Sequence, residues 1–274
     1  MMREYGNPWA HRAKWLYLIF VVVALMSPVL HTVTISFNEH GFGAADYDFT
    51  LVYYFDLFRN EEILAALGWT FWLAFVVVVV TLPMGILSAK FYQTTRWKVP
   101  FLLLMLAPLF IPADIMAAAL LVYFKTLSRF FSDTFGLEWF DLSMTTAVIG
   151  QVLWCLPYVF VVVLVTMARY HAEQTEAARI CGATAWRAFW DVEFPQIKAG
   201  VFSATAFTVI LSFNEYTRTN FLKGGFETFP TYIVSYMLNT GMTPETYAMS
   251  GLVSMTSIVI VGAVLLLALR KEQA

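Results

Sequence analysis

The chain has 274 residues, 59% hydrophobic and 13% charged, with a formal net charge of −2 and a mean hydropathy of +0.67. A soluble domain carries about 25% charged residues, so this much apolar surface requires lipid as part of its solvent. The charge balance offers no basic face for nucleic acid. Cys155, in an apolar run, and Cys181, in a polar loop, imply no disulfide framework.

Residues 1–14 are polar, and the apolar run after them has no small-residue cleavage site, so it reads as an anchor rather than a removed signal. A helix needs about 20 apolar residues to cross a bilayer. Six stretches qualify: residues 15–37, 68–89, 100–124, 145–168, 201–222 and 247–269. The fifth is interrupted by Ser212, Asn214, Glu215 and Arg218. Between the first two, residues 51–55 read as a short strand or turn and residues 61–67 as an interfacial helix. Pro28, Pro83, Pro108, Pro112 and Pro157 lie within the predicted spans. Each removes a backbone donor, which membrane helices tolerate when neighbours re-satisfy the backbone. Pro108 and Pro112 stand one turn apart with Asp114 close behind. That pattern reads either as a packing kink or as a broken helix lining a cavity. There is no internal repeat, so residues 1–274 are expected to form one domain.

Six crossings put both termini on one side, and Lys and Arg choose which. Residues 1–14, 90–98, 169–198 and 270–274 hold three, three, four and two of them, against one, two and two in the other three loops. The termini and the 169–198 loop are therefore expected in the cytoplasm, and the segments around Tyr53, Trp139 and Phe226 outside.

No phosphate loop is present, nor any H-E-x-x-H, G-x-S-x-G or C-x-x-C pattern. His11, His31, His40 and His171 are scattered without metal-ligand spacing. Neither an ATPase centre, a cofactor nor a metal site is expected in this chain.

The polar island between the fourth and fifth spans is the most informative stretch. Residues 173–181 read as a short helix, with Glu173 and Glu176 early and Arg179 near its end, complementing the dipole. Ala177 and Ala178 allow close approach, and Gly182 stands where the helix must turn. A second short helix, residues 185–192, carries Trp186, Phe189 and Trp190 on one face, with Pro195 ending it. On physics alone this is either a hairpin lying on lipid headgroups or a docking surface.

Glu176, Ala177, Ala178 and Gly182 resemble, position by position, the E-A-A-x-x-x-G loop of inner-membrane components of binding-protein-dependent ABC importers, which have the MetI-like fold. Ala183, Phe189, Pro195 and Gly200 fit the looser tail, while Phe194 and Ala199 replace the commoner leucine and proline. Residues 108–114, 211–216, 228–230 and 242–245 are similar to the second permease of spermidine/putrescine-type importers. The likeness covers about residues 50–270. It implies an all-α polytopic membrane protein: a five-helix permease core preceded by one N-terminal helix, in a bacterial inner membrane. The 169–199 hairpin would be the coupling element. Implied partners are an ABC ATPase dimer, which would bind ATP and Mg, a second homologous permease and an extracytoplasmic solute-binding protein. That subfamily also looks much like permeases for opines, aminophosphonates and other small solutes.

An ionisable residue within a span indicates function by default. Asp114 lies midway along the predicted third span, and Asn214 and Glu215 past the middle of the fifth. Asp114 reads as a cap at a kink or as a solute contact; Glu215 reads as a partner of Arg218 or as a solute contact. Trp154 and Tyr158 flank Pro157 and read as packing aromatics or as cation–π faces. Together, Asp114, Trp154, Tyr158, Asn214 and Glu215 form the candidate solute path, suited to a small polar or cationic solute such as a polyamine. The rival readings are an ATP-independent secondary transporter or channel, which usually shows repeat symmetry, and an intramembrane enzyme using Asp114 and Glu215.

Overall fold

The computed structural model describes residues 8–41, 43, 46–136 and 140–272. Trp139, expected on the outer side, lies outside the described residues. Among the described residues the structure is helical, without strands: one isolated antiparallel bridge joins Asn38 and Phe49. Six helical segments among the described residues are long and apolar enough to cross a membrane. The chain divides into two compact units, residues 1–60 with 235–258, and residues 61–234 with 259–274.

In the first unit, α1 (Pro8–Ile35) carries His11, Arg12 and Lys14 in its first turns and is largely apolar from Trp15 onward, and none of its described side chains is buried. A helix of that kind is solvated by lipid. It leads to a knot in which Phe37 stacks on Phe49 and Tyr54 at 5.6 and 5.0 Å. Ser36 Oγ meets the Tyr54 hydroxyl at 2.7 Å. The 51–55 run is not a strand: α2 (Val52–Leu57) is a helix that packs Tyr54 and Leu57 inward.

The second unit is built on three spans. They are α3 (Glu61–Thr94), which absorbs the expected interfacial helix, α6 (Met144–Met167) and α9 (Phe194–Phe213), packed on one another. At 34 residues and 1.5 Å per residue, α3 is about 51 Å long, so it projects beyond a hydrocarbon core of about 30 Å. Leu73, Val77, Ala147, Val152 and Cys155 form one apolar cluster, and Ala89, Val159, Phe160, Met167 and Ile197 a second. Buried polar side chains pin the helices together: Gln151 donates to Thr219 Oγ1 at 2.7 Å, and Ser212 donates to Gln151. Such hydrogen bonds hold membrane helices where apolar contact alone does not discriminate.

Two expected spans are corrected. The third does not run through residues 100–124. The helix α4 (Lys98–Leu106) gives way to a 3-10 turn over Ala107–Phe110, and α5 (Ala113–Phe135) starts afresh with Pro112 as its N-cap. Pro108 and Pro112 both withhold donors within one turn, which the ladder cannot bridge. Asp114 therefore lies in the first turn of α5 rather than mid-span. The fifth span ends at Phe213, not Leu222. It joins upstream to α8 (Ala185–Ala188) through a π-helical turn over Phe189–Glu193 and so reaches back to Ala185. Pro195 does not end the preceding helix; it sits in the first turn of α9, where its missing donor costs nothing. Beyond lie α7 (Ala172–Ile180) in the polar island, α10 (Thr217–Leu222), α11 (Phe229–Thr240), which the sequence did not announce, and α12 (Pro244–Glu272).

Candidate functional site

The polar island folds as a helical hairpin. Glu176 and Ala177 are exposed on α7, with Ala178 half-buried behind them. The turn after α7 is a Schellman closure: Ala183 N–H donates to Ala178 O and Gly182 N–H to Arg179 O, both at 3.0 Å. Gly182 takes φ +90° and an added Cβ there would meet nothing within 4 Å. The glycine is required by backbone conformation and not by crowding. Thr184 Oγ1 then accepts from Arg187 N–H to start α8.

An aromatic run follows. Trp186 and Trp190 meet edge to face at 5.5 Å, and Trp190 packs on Phe194 at 4.8 Å. Trp186 stays 70% exposed and Ile180 87%. Large apolar groups held this far out by a polar hairpin mark a surface meant for a partner or a membrane.

The root of the hairpin is ionic. Glu193, in the π-helical turn, is 4% exposed at its side chain and takes an ion pair from Lys90 of α3, Nζ to Oε2 2.8 Å. The same ammonium lies 4.9 Å from the centre of the Phe189 ring. Glu193 Oε1 is buried without a hydrogen-bond partner among the described residues. Gln196 Nε2 also donates to Gln174 Oε1 at 2.9 Å, tying α7 to α9. Lys90 and Glu193 were not singled out from the sequence, since nothing local marks residues so far apart as a pair.

The candidate solute-path residues separate into two groups. Glu215, Trp154 and Tyr158 belong to one cluster, organised by Arg218. Glu215 Oε2 accepts from Arg218 Nη1 at 3.0 Å, and Oε1 accepts from the Arg218 backbone N–H at 2.9 Å, closing the start of α10. The Arg218 guanidinium is centred 4.2 Å over the Trp154 ring, and Trp154 meets Tyr158 edge to face at 5.1 Å. Arg218 is 1% exposed, and its Nε and Nη2 have no hydrogen-bond partner among the described residues. A resident cation thus already takes the carboxylate and the aromatic face that a cationic solute would use. Asn214 caps the end of α9, exposed, with Nδ2 donating to Ile210 O. Asp114 is exposed and makes no hydrogen bond or ion pair with a described residue.

Residues 81–271 match the family model for the binding-protein-dependent transport system inner membrane component. The chain is 26% identical over 260 residues to the spermidine/putrescine transport system permease protein PotC of Escherichia coli (strain K12), covering 94% of each chain. It is 25% identical over 249 residues to the putrescine transport system permease protein PotI of the same strain, covering 88% of this chain and 86% of that one. Its fold is similar to a chain in the crystal structure of a bacterial ABC transporter involved in import of the acidic polysaccharide alginate, with TM-score 0.69, 16% identity and 96% of both chains covered.

Proposed function

The chain belongs to the family of binding-protein-dependent transport system inner membrane components, and we propose that its hairpin of residues 169–199 is the element through which a separate ABC ATPase drives transport. As a family member it is a multi-pass permease subunit of a bacterial ABC importer. The observation that carries the coupling reading is the hairpin itself. It offers Glu176, Ala177 and Gly182 outward at one end, with Ala178 half-buried behind them; at the other end Phe189 packs on Phe194 beside Pro195 in the first turn of α9, and Glu193 is ion-paired to Lys90 of α3. A push on the hairpin reaches α9 through the Gln174–Gln196 contact and α3 through the Glu193–Lys90 pair. Ala183 completes the turn that fixes the angle between α7 and α8.

In this reading the whole chain, residues 1–274, acts as one permease domain with both termini in the cytoplasm. A second, homologous permease completes the path, an extracytoplasmic binding protein delivers solute, and the ATPase dimer holds ATP and Mg. The solute is a small cation of the polyamine class. Support comes from the similarity to PotC and PotI and from the unpaired carboxylate of Asp114. Asn214 and Tyr158 supply neutral polar and aromatic contacts. Glu215 and Trp154 join the path only when Arg218 moves off them. The alginate transporter shares the fold, so side chains, not architecture, decide the solute.

The test is purification of the assembled transporter through a tag on this chain. An ATP-hydrolysing subunit should co-purify, and putrescine with its binding protein should stimulate hydrolysis. Recovery of a chain that transports putrescine without any ATPase would overturn the reading.

A further inference from the structure

We propose that the outer ridge of α6 near its C-terminal end binds one anionic phospholipid. Its phosphate would lie between Lys98 and Arg169, and its acyl chains in two grooves on either side of Val165.

The ridge of α6 is flanked by two open grooves that share Val165. One, of about 330 Å³, runs between α6 and the end of α3 and is lined by Tyr92, Leu164, Val165 and Lys98. The other, of about 450 Å³, runs between α6 and α9 and is lined by Val161, Val165, Gly200, Ser203 and Arg169. The second groove exists because Gly200 packs directly on Thr166, bringing α6 and α9 together with no side chain to fill the surface above them. Val165 stands between the grooves 61% exposed.

Each groove is lined mainly by apolar groups, with Gln93 in the first and Thr166 and Ser203 in the second, and each has one cation in its lining, Lys98 and Arg169 respectively. Lys98 and Arg169 are exposed, and neither has an ion-pair partner among the described residues. Val161 lies six residues before the end of α6 at Met167, about 9 Å along the helix axis, and Arg169 lies two residues beyond that end. The arrangement thus has the polarity of an amphiphile: anionic group at the helix end, hydrocarbon along the span. Basic pockets between helices on the cytoplasmic side attract anionic headgroups in this way, and long basic side chains at helix ends reach to the headgroup layer. A soluble anion would leave both grooves unused. A docked protein would need an acidic group and two apolar arms set at matching positions, whereas an anionic diacyl lipid carries a phosphate and two hydrocarbon chains in one molecule.

The probes are 1-palmitoyl-2-oleoyl phosphatidylglycerol and the phosphatidylcholine with the same chains, mixed in equal amounts with the detergent-purified full chain and read by native mass spectrometry. Retention should favour phosphatidylglycerol, and Lys98→Gln with Arg169→Gln should lower that preference by about thirty-fold for two basic side chains. Both residues are exposed, so the double variant should fold as the parent does. Ala199→Trp, which fills the second groove from its exposed wall, should weaken retention of both lipids. An unchanged preference in the double variant would overturn the proposal, as would equal retention of both lipids by the parent. Phosphatidylglycerol held by the free chain but absent from the assembled transporter would also overturn it, assigning the ridge to a partner subunit.

Discussion

Lys90 Nζ lies 2.8 Å from Glu193 Oε2, joining the last turns of α3 to the π-helical root of the hairpin across 103 residues of sequence. The pair is lopsided: Lys90 is 39% exposed and Glu193 4%. Removing the cation strands a buried carboxylate that already has one unpartnered oxygen. Lys90→Met should therefore destabilise the purified chain by about 2–4 kcal/mol, somewhat under the loss for a fully buried pair. Lys90→Met with Glu193→Leu should recover part of that loss, because no charge is then left unpaired. Thermal unfolding in detergent checks the order. If the double variant is less stable than the single one, Glu193 is held by something other than Lys90.

The backbone at Gly182 sets a second expectation. Its φ of +90° lies where L-residues are strained, yet the space around it is open. Gly182→Leu should cost about 1–2 kcal/mol of local turn stability and leave the six spans untouched. Gly182→Asn should be milder, since asparagine visits this region more readily. Solute-stimulated ATP hydrolysis should fall in the leucine variant and largely persist in the asparagine variant. Normal transport by Gly182→Leu would remove the turn from the coupling route.

Glu215 and Asp114 should behave differently, since Glu215 is buried against Arg218 and Asp114 is exposed. Glu215→Gln leaves the buried Arg218 guanidinium without its ion pair, at about 3–5 kcal/mol, so membrane levels of the chain should drop. Asp114→Asn removes an exposed, unpaired charge, and a surface change of that kind stays within about 0.5 kcal/mol. Levels should be normal while putrescine uptake falls severalfold. Unchanged uptake in Asp114→Asn would take Asp114 out of the solute path. A normally abundant Glu215→Gln chain would show that Arg218 finds another partner.

The division between what was and was not legible in the sequence follows from range. The hairpin was readable because its signals are local: α7 matches the expected helix within a residue at each end, and Gly182 has the positive φ its position called for. Hydropathy found six spans but misplaced two. Local signals marked both places, Pro108 with Pro112 in the third stretch and Asn214 with Glu215 in the fifth, but hydropathy alone does not say whether a helix bends or stops there; the backbone breaks at the first and α9 ends before the second. The pairs that join distant segments, Lys90 with Glu193 and Arg218 with Trp154, carry no sequence signature. Only the local Glu215–Arg218 spacing was visible beforehand.

Charge distribution predicts a topology that can be checked independently. In a background lacking Cys155 and Cys181, Phe226→Cys should react with an impermeant maleimide in intact cells. Trp190→Cys, at an exposed position, should react only after lysis. The reverse pattern would invert every span and move the hairpin away from any cytoplasmic ATPase.

The measurement that bears most directly on coupling is a cross-link from the exposed face of α7. Ala177→Cys, in the assembled transporter lacking Cys155 and Cys181, would carry a short thiol-specific photoreactive probe. The expected adduct joins this chain to the ATPase, in a yield that changes between the nucleotide-free and ATP-bound states. Adducts only to lipid, with full ATP-driven putrescine uptake in the same preparation, would contradict docking and leave the hairpin as a membrane-surface element.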